Sequence, residues 1–121
     1  MTQPTFFHLG TCNTCQRILK TLETENLKLQ DIKTETITPE QLDAMASLTG
    51  SYEALFSKRA RQFRALGLHE KELTEKEYRQ LILGEYTFLK RPVLWLPTKV
   101  IAGNAKKAVE EMQAALKAAN S

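Results

Sequence analysis

The sequence lacks any long run of apolar residues, which excludes a membrane-embedded class of protein. No stretch among the 121 residues approaches the roughly 20 apolar residues of a transmembrane helix. The opening residues, "MTQPTFFHLG", also lack the basic and apolar regions of a secretory signal. We therefore expect a cytoplasmic protein without a membrane partner.

A strong charge of one sign is missing as well. The 17 basic and 14 acidic residues leave a net charge of +3, which is too weak to indicate direct binding to nucleic acid. A small anionic partner fits this charge if the basic residues are concentrated locally. Hydrophobic residues make up 42% and charged residues 26%, as in ordinary globular proteins. We predict a single domain over residues 1–121.

Cysteine and histidine are scarce, with two of each. Both cysteines, Cys12 and Cys15, lie in the C-x-x-C segment "TCNTC", whereas His8 and His69 are far apart. These four residues are the full supply of cysteine and histidine for a zinc site, and their spacing is not that of a zinc finger, so we predict no metal. A structural disulfide is not expected in a reducing compartment, and burial for packing would suit Cys15 alone. The spacing favours a redox pair.

The order of elements begins with strand, helix and strand. The apolar run "TFFH" (5–8) predicts a buried strand, and "TCNTCQRILKTLETEN" (11–26) predicts a helix that stops at Asn26. The segment "LKLQDIKTE" (27–35) alternates like a second strand. So short a connection predicts a right-handed βαβ unit with parallel strands.

The middle of the chain is predicted to be helical. "TPEQLDAMASLTG" begins with a capping box of Thr38 and Gln41 and stops at Gly50. "SYEALFSKRARQFRALG" predicts one or two short helices, and "TEKEYRQLILGEY" begins with a second capping box of Thr74 and Glu77.

The C-terminal part returns to strands. "RPVLWLP" and "KVIAG" predict an antiparallel hairpin, and "NAKKAVEEMQAALKAAN" predicts a helix capped by Asn104. The full order is β-α-β, a helical middle and β-β-α. This order predicts an α/β protein of thioredoxin-like fold with a helical insertion at about residues 38–86.

On this layout Cys12 lies in the turn between the first strand and the first helix. Unpaired backbone N–H groups and the positive end of the helix dipole favour an anion there, and a thiolate is such an anion. Cys15, three residues later, lies on the inward face of the helix. We therefore predict that Cys12 attacks and that Cys15 resolves.

Four further residues are candidates for the site. Pro92 begins the third strand, and in thioredoxin-like proteins a proline here is typically cis and packs against the cysteine turn. The preceding Arg91 is then an anion clamp, the alternative being an ordinary surface arginine. Arg59 is the residue we select from the basic run "SKRARQFR". His8 either supports the thiolate or is simply a hydrogen-bonded residue at a strand end.

Three motifs, "FFHLGTCNTC", "SYEALFSKRARQFRALGL" and "LKRPVLWLP", occur in an order that resembles the arsenate reductase (ArsC) family, which includes the Spx-type transcription regulators. The resemblance covers nearly the whole chain. It implies that Cys12 is a nucleophile that forms an adduct with arsenate and that His8 helps to ionise it. It also implies that Arg91 and Arg59 bind the oxyanion.

The resemblance implies an oxidoreductase without a bound cofactor. Its substrate would be a small anion or a disulfide, and its electron donor glutathione or a redox protein of the thioredoxin or glutaredoxin type. Arsenate reductases carry a further arginine where this chain reads "IAGNAKK", so that Lys106 and Lys107 offer only point charges. The alternative is an Spx-like regulator, in which the cysteine pair is a switch and Gly50 marks the contact with the RNA polymerase alpha subunit.

Overall fold

The computed structural model of the protein describes residues 3–120, which form a mixed α/β structure. Its strands are β1 (Thr5–His8), β2 (Lys28–Asp31), β3 (Val93–Trp95) and β4 (Val100–Ala102). Its α-helices are α1 (Asn13–Leu19), α2 (Pro39–Thr49), α3 (Arg61–Ala65), α4 (Glu75–Gly84) and α5 (Lys106–Ala119). None of the helices within these residues combines the length and the apolar character needed to cross a membrane.

The chain divides into two compact units. One unit combines the chain up to Glu35 with the chain from Arg91 onward, and the other comprises Thr36–Lys90. The second unit contains the predicted helical insertion and extends it by a few residues at each end. That the whole chain acts as one domain stays a prediction.

The first unit contains a four-stranded sheet with the order β2-β1-β3-β4 among the described residues. β1 pairs with β2 in parallel, from Thr5 opposite Lys28 to His8 opposite Asp31. β3 pairs antiparallel with both β1 and β4. The predicted parallel βαβ unit and the predicted C-terminal hairpin are both confirmed.

The core of the first unit lies between the sheet and the helices α1 and α5. It gathers buried side chains from all of these elements: Phe6, Ile18, Leu22, Leu94, Leu96, Ile101, Met112 and Leu116. Burial of each such side chain contributes on the order of 1.5–3 kcal/mol before the entropic cost of folding. This core fixes α1, and therefore the cysteine pair at its start, against the sheet.

Helix α1 is shorter than predicted, because it ends at Leu19 rather than continuing to Asn26. The Thr21 hydroxyl donates to the Ile18 carbonyl at 2.7 Å, and the Thr21 N–H donates to the same carbonyl at 2.9 Å. These bonds tighten and close the last turn. Asn26 does adopt the left-handed conformation, with φ 60°, but in a turn beyond the helix.

Helix α5 does not begin as predicted either. Its N-cap is Ala105 rather than Asn104, and no side chain caps it. The N–H of Val109 donates to the Ala105 carbonyl at 3.0 Å, so the helical bonds start one residue later than the Asn104 prediction requires. Gly103, with φ 98°, turns the chain just before this point.

The second unit begins its two longer helices as predicted. The hydroxyl of Thr38 accepts from the Gln41 N–H at 3.0 Å, and the Gln41 side chain accepts from the Thr38 N–H, also at 3.0 Å. Thr74 and Glu77 form the same capping box at the start of α4. Gly50 closes α2 in the left-handed conformation, with φ 88°.

Aromatic side chains cluster around Phe56 in the interior of the second unit, beside buried aliphatic side chains such as Leu42, Met45 and Ile82. Phe56 is 2% exposed, and its ring lies 4.9 Å from that of Tyr78 and 5.0 Å from that of Phe88. Phe56 directly follows a 3₁₀ turn at Glu53–Leu55, and Phe88 ends a second 3₁₀ turn at Tyr86–Phe88. The helical middle is thus confirmed, with its second segment divided into a 3₁₀ turn and α3.

Candidate redox site

One edge of the sheet collects the candidate residues of the first unit. β1 ends at His8, and the cysteine loop follows it. Since β3 runs antiparallel to β1, with Phe7 opposite Val93, Arg91 and Pro92 enter β3 at that same edge. The topology therefore brings Arg91 and Cys12 together although they are far apart in the chain.

Cys12 is the N-cap residue of α1, with extended backbone angles (φ −90°, ψ 114°). Its N–H donates to the Leu9 carbonyl at 2.9 Å, and its carbonyl accepts from Gln16 at 3.1 Å. The side chain is half-buried and makes no regular capping hydrogen bond. The sulfur therefore lies among the backbone N–H groups that begin the helix.

The surroundings of Cys12 lower the pKa of its thiol. Partial burial acts to raise the pKa. This effect is outweighed by the N–H groups of Cys15 and Thr14, by a hydrogen bond from the Cys15 thiol and by the positive charge of Arg91. Each of these groups stabilises the thiolate relative to the neutral thiol.

Cys15 has the opposite tendency. Its side chain is 0% exposed, and burial, together with the neighbouring Cys12 sulfur, raises the pKa of Cys15 to about 11. Both cysteines are free thiols, and they approach each other to 3.5 Å. The pair thus consists of one accessible thiol that ionises readily and one buried thiol that stays protonated at neutral pH.

Arg91 and Pro92 directly precede β3, which begins at Val93 and not at Pro92 as predicted. The peptide bond between them is cis, and Pro92 is buried while Arg91 is half-buried. The charge of Arg91 lowers the pKa of Cys12 and also acts to lower that of Cys15. Arg91 is therefore close enough for its charge to act on both thiols, and its role in binding an anion stays a prediction.

His8 is half-buried at the end of β1, where its ring stacks on that of Phe6 at 6.0 Å. Its Nδ1 atom is buried and has no hydrogen-bond partner among residues 3–120. Support of the Cys12 thiolate by His8 stays a prediction.

Arg59 belongs to the second unit. It is exposed and lies just before α3, which begins at Arg61. Its predicted part in oxyanion binding stays a prediction.

Sequence reasoning missed Asp31, the last residue of β2. Its carboxylate Oδ2 accepts from the Gly10 N–H at 3.2 Å, within the loop that carries Cys12. A signal was present, because the carboxyl ends of adjacent parallel strands meet at one edge of a sheet and Asp31 pairs with His8. The residue was overlooked because a single acidic residue at a strand end has no distinctive spacing.

A groove of about 460 Å³ lies between α1 and α5 in the first unit. Arg17 and Lys106 bring positive charge to it, Glu110 brings negative charge, and Ile18 and Val109 are apolar. Lys106, a residue considered from the sequence as a point charge for the substrate, therefore faces this groove. Within the part of the chain that the structure describes, no three His, Cys, Asp or Glu side chains cluster as metal ligands.

The family model described as the ArsC family matches residues 7–112 of the chain. The chain belongs to the ArsC family. It is 27% identical over 104 residues to the regulatory protein MgsR of Bacillus subtilis (strain 168), an alignment that covers 84% of this chain and 82% of MgsR. The resemblance found in the sequence is confirmed.

Solved structures share the fold. An ArsC family related protein from Bacteroides fragilis superposes with a TM-score of 0.76 at 25% identity, covering 92% of this chain and 98% of that one. The arsenate reductase from Vibrio cholerae superposes with a TM-score of 0.75, also covering 92% and 98%, but at 15% identity, so it shows the fold alone. The predicted thioredoxin-like fold of the ArsC family is confirmed.

Proposed function

We propose that the protein is a thiol-dependent oxidoreductase of the ArsC family, in which Cys12 attacks an oxyanion or a disulfide and Cys15 resolves the product. The observation that carries the proposal is the placement of two free thiols 3.5 Å apart, with Cys12 at the N-cap of α1 and Cys15 fully buried. The pKa of Cys12 is lowered, and that of Cys15 is raised to about 11. A pair in which one cysteine attacks the substrate and the other resolves the product needs such a difference in pKa between the two thiols.

In the first step the Cys12 thiolate attacks the substrate. With a disulfide, it forms a mixed disulfide and releases one substrate thiolate, which takes the electron pair of the broken S–S bond. With arsenate, it forms a bond from sulfur to arsenic(V), and an oxygen ligand leaves as water after protonation. Arg91 supports either reaction by offsetting the negative charge beside the thiolate.

In the second step Cys15 loses its proton to solvent and attacks the Cys12 sulfur. The Cys12–Cys15 disulfide forms, and the bond from Cys12 to the substrate breaks with its electron pair going to the substrate. A substrate disulfide thus becomes two thiols, and arsenic(V) becomes arsenic(III). The step becomes easier once Cys12 is bonded, because its negative charge and hydrogen bond no longer raise the pKa of Cys15.

Negative charge on the substrate is the property that the available cations favour. Arg91 supplies a planar donor beside the thiols, and Arg59 and His8 are the further candidates that the family resemblance supplies. Lys106 faces the groove between α1 and α5. That groove is lined by neither cysteine, and a lysine offers a point charge instead of the two parallel hydrogen bonds of an arginine. We therefore favour a disulfide or a less charged oxyanion over the arsenate dianion as substrate.

The cycle closes when two thiols, from two molecules of a monothiol or from one dithiol protein, open the Cys12–Cys15 disulfide and are themselves oxidised to a disulfide. We propose glutathione or a protein of the thioredoxin or glutaredoxin type as that electron donor, in the cytoplasm. The protein itself needs no bound cofactor for this chemistry, because all the electrons pass through sulfur.

A turnover assay tests the proposal. The protein is given arsenate, or a model disulfide in a second series, with glutathione and glutaredoxin or with thioredoxin and its reductase. We expect turnover in at least one pairing and its complete loss in Cys12→Ser. Cys15→Ser should instead accumulate the adduct or mixed disulfide on Cys12, visible by mass spectrometry. Absence of turnover in every pairing would contradict the enzyme proposal.

A second candidate function is a redox-switched regulator that binds the RNA polymerase alpha subunit. It is favoured by the 27% identity to a protein named as a regulatory protein, MgsR. In this proposal the Cys12–Cys15 disulfide changes affinity for the partner, and Gly50 lies at the contact. Gly50 is exposed and ends α2.

A binding experiment separates the two functions. The reduced and the oxidised protein are each titrated against the C-terminal domain of the alpha subunit. A regulator binds, and its affinity depends on the redox state and on Gly50. Equal absence of binding in both states would contradict the regulator, whatever the turnover assay yields.

A further inference from the structure

We propose that Asp31 is a positioning residue for the nucleophile: its carboxylate anchors the loop that carries Cys12, and Gly10 provides the room for that contact. The inference rests on the proposed function only in taking Cys12 as the reactive group. Asp31 does not touch the reacting atoms in this proposal. It acts through the backbone of the loop.

The Asp31 carboxylate is held from two sides. Oδ2 accepts from the Gly10 N–H at 3.2 Å, and Oδ1 accepts from the Lys33 N–H at 3.0 Å. The Asp31 carbonyl accepts from the Glu35 N–H at 2.7 Å. The side chain is thus fixed within its own turn, and the turn continues from β2 in the sheet. A carboxylate fixed in this way can serve as an anchor for a neighbouring loop.

Gly10 is required at this contact because of its size. A Cβ atom built on Gly10 would lie 2.5 Å from Oδ2 of Asp31, a separation that real Cβ atoms do not show. Gly10 is not in the left-handed conformation, since the glycines with positive φ in the described residues are Gly50, Gly67 and Gly103. Its lack of a side chain, rather than its backbone freedom, therefore permits the carboxylate to approach.

The anchor is connected to Cys12 through a short chain of hydrogen bonds. The Cys12 N–H donates to the Leu9 carbonyl at 2.9 Å, next to the residue that Asp31 holds. The Gln16 side chain donates to the Gly10 carbonyl at 3.4 Å, which joins the loop to α1. Release of Gly10 would let the Cys12 sulfur move away from the N–H groups that favour its thiolate.

The negative charge of Asp31 would affect the ionisation of Cys12 in the direction opposite to that of the anchor. A carboxylate near a thiol disfavours the thiolate, so its removal alone would make Cys12 ionise at lower pH. The other groups at this edge are Cys15 on α1, Arg91 before β3 and His8 at the end of β1, and all of them stay in place in the variants below. The two effects of Asp31 therefore predict opposite results.

The test measures the pH dependence of Cys12 alkylation by iodoacetamide in four variants: Gly10→Ala, Asp31→Ala, Asp31→Asn and the double variant Gly10→Ala/Asp31→Ala. We expect the midpoint to rise by about 0.5 pH unit in Gly10→Ala and in Asp31→Ala, which is the size of a lost helix-terminus interaction. Asp31→Asn keeps one acceptor for the Gly10 N–H, so its midpoint should rise less than that of Asp31→Ala. The double variant should match Asp31→Ala alone, because an alanine at position 31 leaves space for the new Cβ.

Two matched controls accompany these variants. Gly84→Ala adds a Cβ to an exposed glycine of α4 that would meet nothing within 4 Å. Asp43→Asn removes a carboxylate that accepts from Arg79 at 2.8 Å in the second unit. Neither control should move the Cys12 midpoint, although Asp43→Asn lowers stability. Should Asp31→Ala fail to fold, Gly10→Ala carries the test, since its Cβ displaces the Asp31 carboxylate from the loop and leaves the charge of Asp31 unchanged.

Three results would overturn the proposal. The first is an unchanged midpoint in the Gly10 and Asp31 variants, and the second is a rise in the controls as large as that in the variants. The third is a midpoint that falls in the Asp31 variants while that of Gly10→Ala does not change. The last result would mean that Asp31 acts only by its charge. The anchor is judged by the difference between variant and wild type. A wild-type midpoint like that of free cysteine would instead count against the proposed function.

Discussion

Helix α1 differs from helices α2 and α4 in the side chain that lies beside its first backbone N–H groups. Every helix begins with backbone N–H groups that have no partner within the helix. In α2 and α4 a threonine and a glutamine or glutamate satisfy them in complete capping boxes. In α1 the N-cap is Cys12, without a regular capping bond, and the N–H groups of Thr14 and Cys15 lower the pKa of its sulfur.

The unpaired N–H groups at a helix start can therefore have either of two roles. Where a hydroxyl caps the helix, the N–H groups contribute to the free energy of unfolding. Where a thiol takes that position, the same groups contribute to its ionisation, which is of use only if the thiolate reacts. An uncapped helix start is therefore a sign of chemistry only where the N-cap side chain can ionise, since α5 also begins without a side-chain cap, at Ala105.

The largest expected effect is that of Cys12→Ser. The variant should lose all alkylation at position 12 and all turnover, because a serine hydroxyl does not ionise near neutral pH. Serine is nevertheless a good N-cap, so the free energy of unfolding should stay the same or rise by up to about 1 kcal/mol. Activity and denaturant unfolding are measured on the same preparation. A clear loss of stability would contradict the comparison.

The next effect concerns Cys15 at alkaline pH. Its pKa is raised from 9.0 to about 11 in the folded protein, so the neutral buried thiol stabilises the fold fully below pH 9. This contribution is lost as the pH rises from about 9 through 11, and it amounts to about 2–3 kcal/mol.

Unfolding by denaturant between pH 8 and 11 measures this loss. Cys15→Ala should lose less stability with rising pH than wild type does, because it lacks the contribution of the Cys15 thiol. Other groups that titrate in this range contribute equally to both proteins. The pKa of Cys12 is lowered, so its linkage has the opposite sign: its contribution is lost as the pH falls through the folded pKa. An identical alkaline decline in Cys15→Ala and wild type would contradict the raised pKa.

A smaller effect is expected at the two capped helices. Thr38→Ala and Thr74→Ala should each lower the free energy of unfolding by about 1 kcal/mol, because each removes the hydroxyl of a capping box. Neither should move the midpoint of Cys12 alkylation. A shift of the Cys12 midpoint in these variants that accounts for their whole loss of unfolding free energy would contradict the comparison.

The smallest effect is that of Arg91. Its charge is one of several groups that lower the pKa of Cys12, so Arg91→Gln should raise the alkylation midpoint by about half a pH unit at low salt and by less at high salt. Arg91→Lys keeps the charge and should retain most of the wild-type midpoint. An unchanged midpoint in Arg91→Gln at low salt would contradict a contribution of Arg91 to the ionisation of Cys12.

Much of this arrangement could be predicted from the sequence because its signals are local. The capping boxes at Thr38 and Thr74 depend on residues three positions apart, and the sheet follows from apolar runs and short connections. Arg91 could be placed near Cys12 because the order of elements matched a known fold. The cis bond before Pro92 was predicted from the same resemblance and is present.

The remaining features could not be predicted, because they depend on competition between neighbours. Helix α1 ends at Leu19 because Thr21 closes its last turn, although the apolar spacing continues to Leu22. Asn104 is a good capping residue, yet α5 begins one residue too late for it. The contact of Asp31 with Gly10 joins residues that are 21 positions apart and requires the register of β1 and β2.

The account depends most directly on the ionisation of Cys12. The decisive measurement is the rate of iodoacetamide alkylation at Cys12 in the reduced wild-type protein from pH 4 to 10, with the modified residue identified by mass spectrometry. The account predicts a midpoint below the value of about 8.5 for a free cysteine, with Cys15 unmodified at neutral pH. A midpoint at or above that value would contradict it.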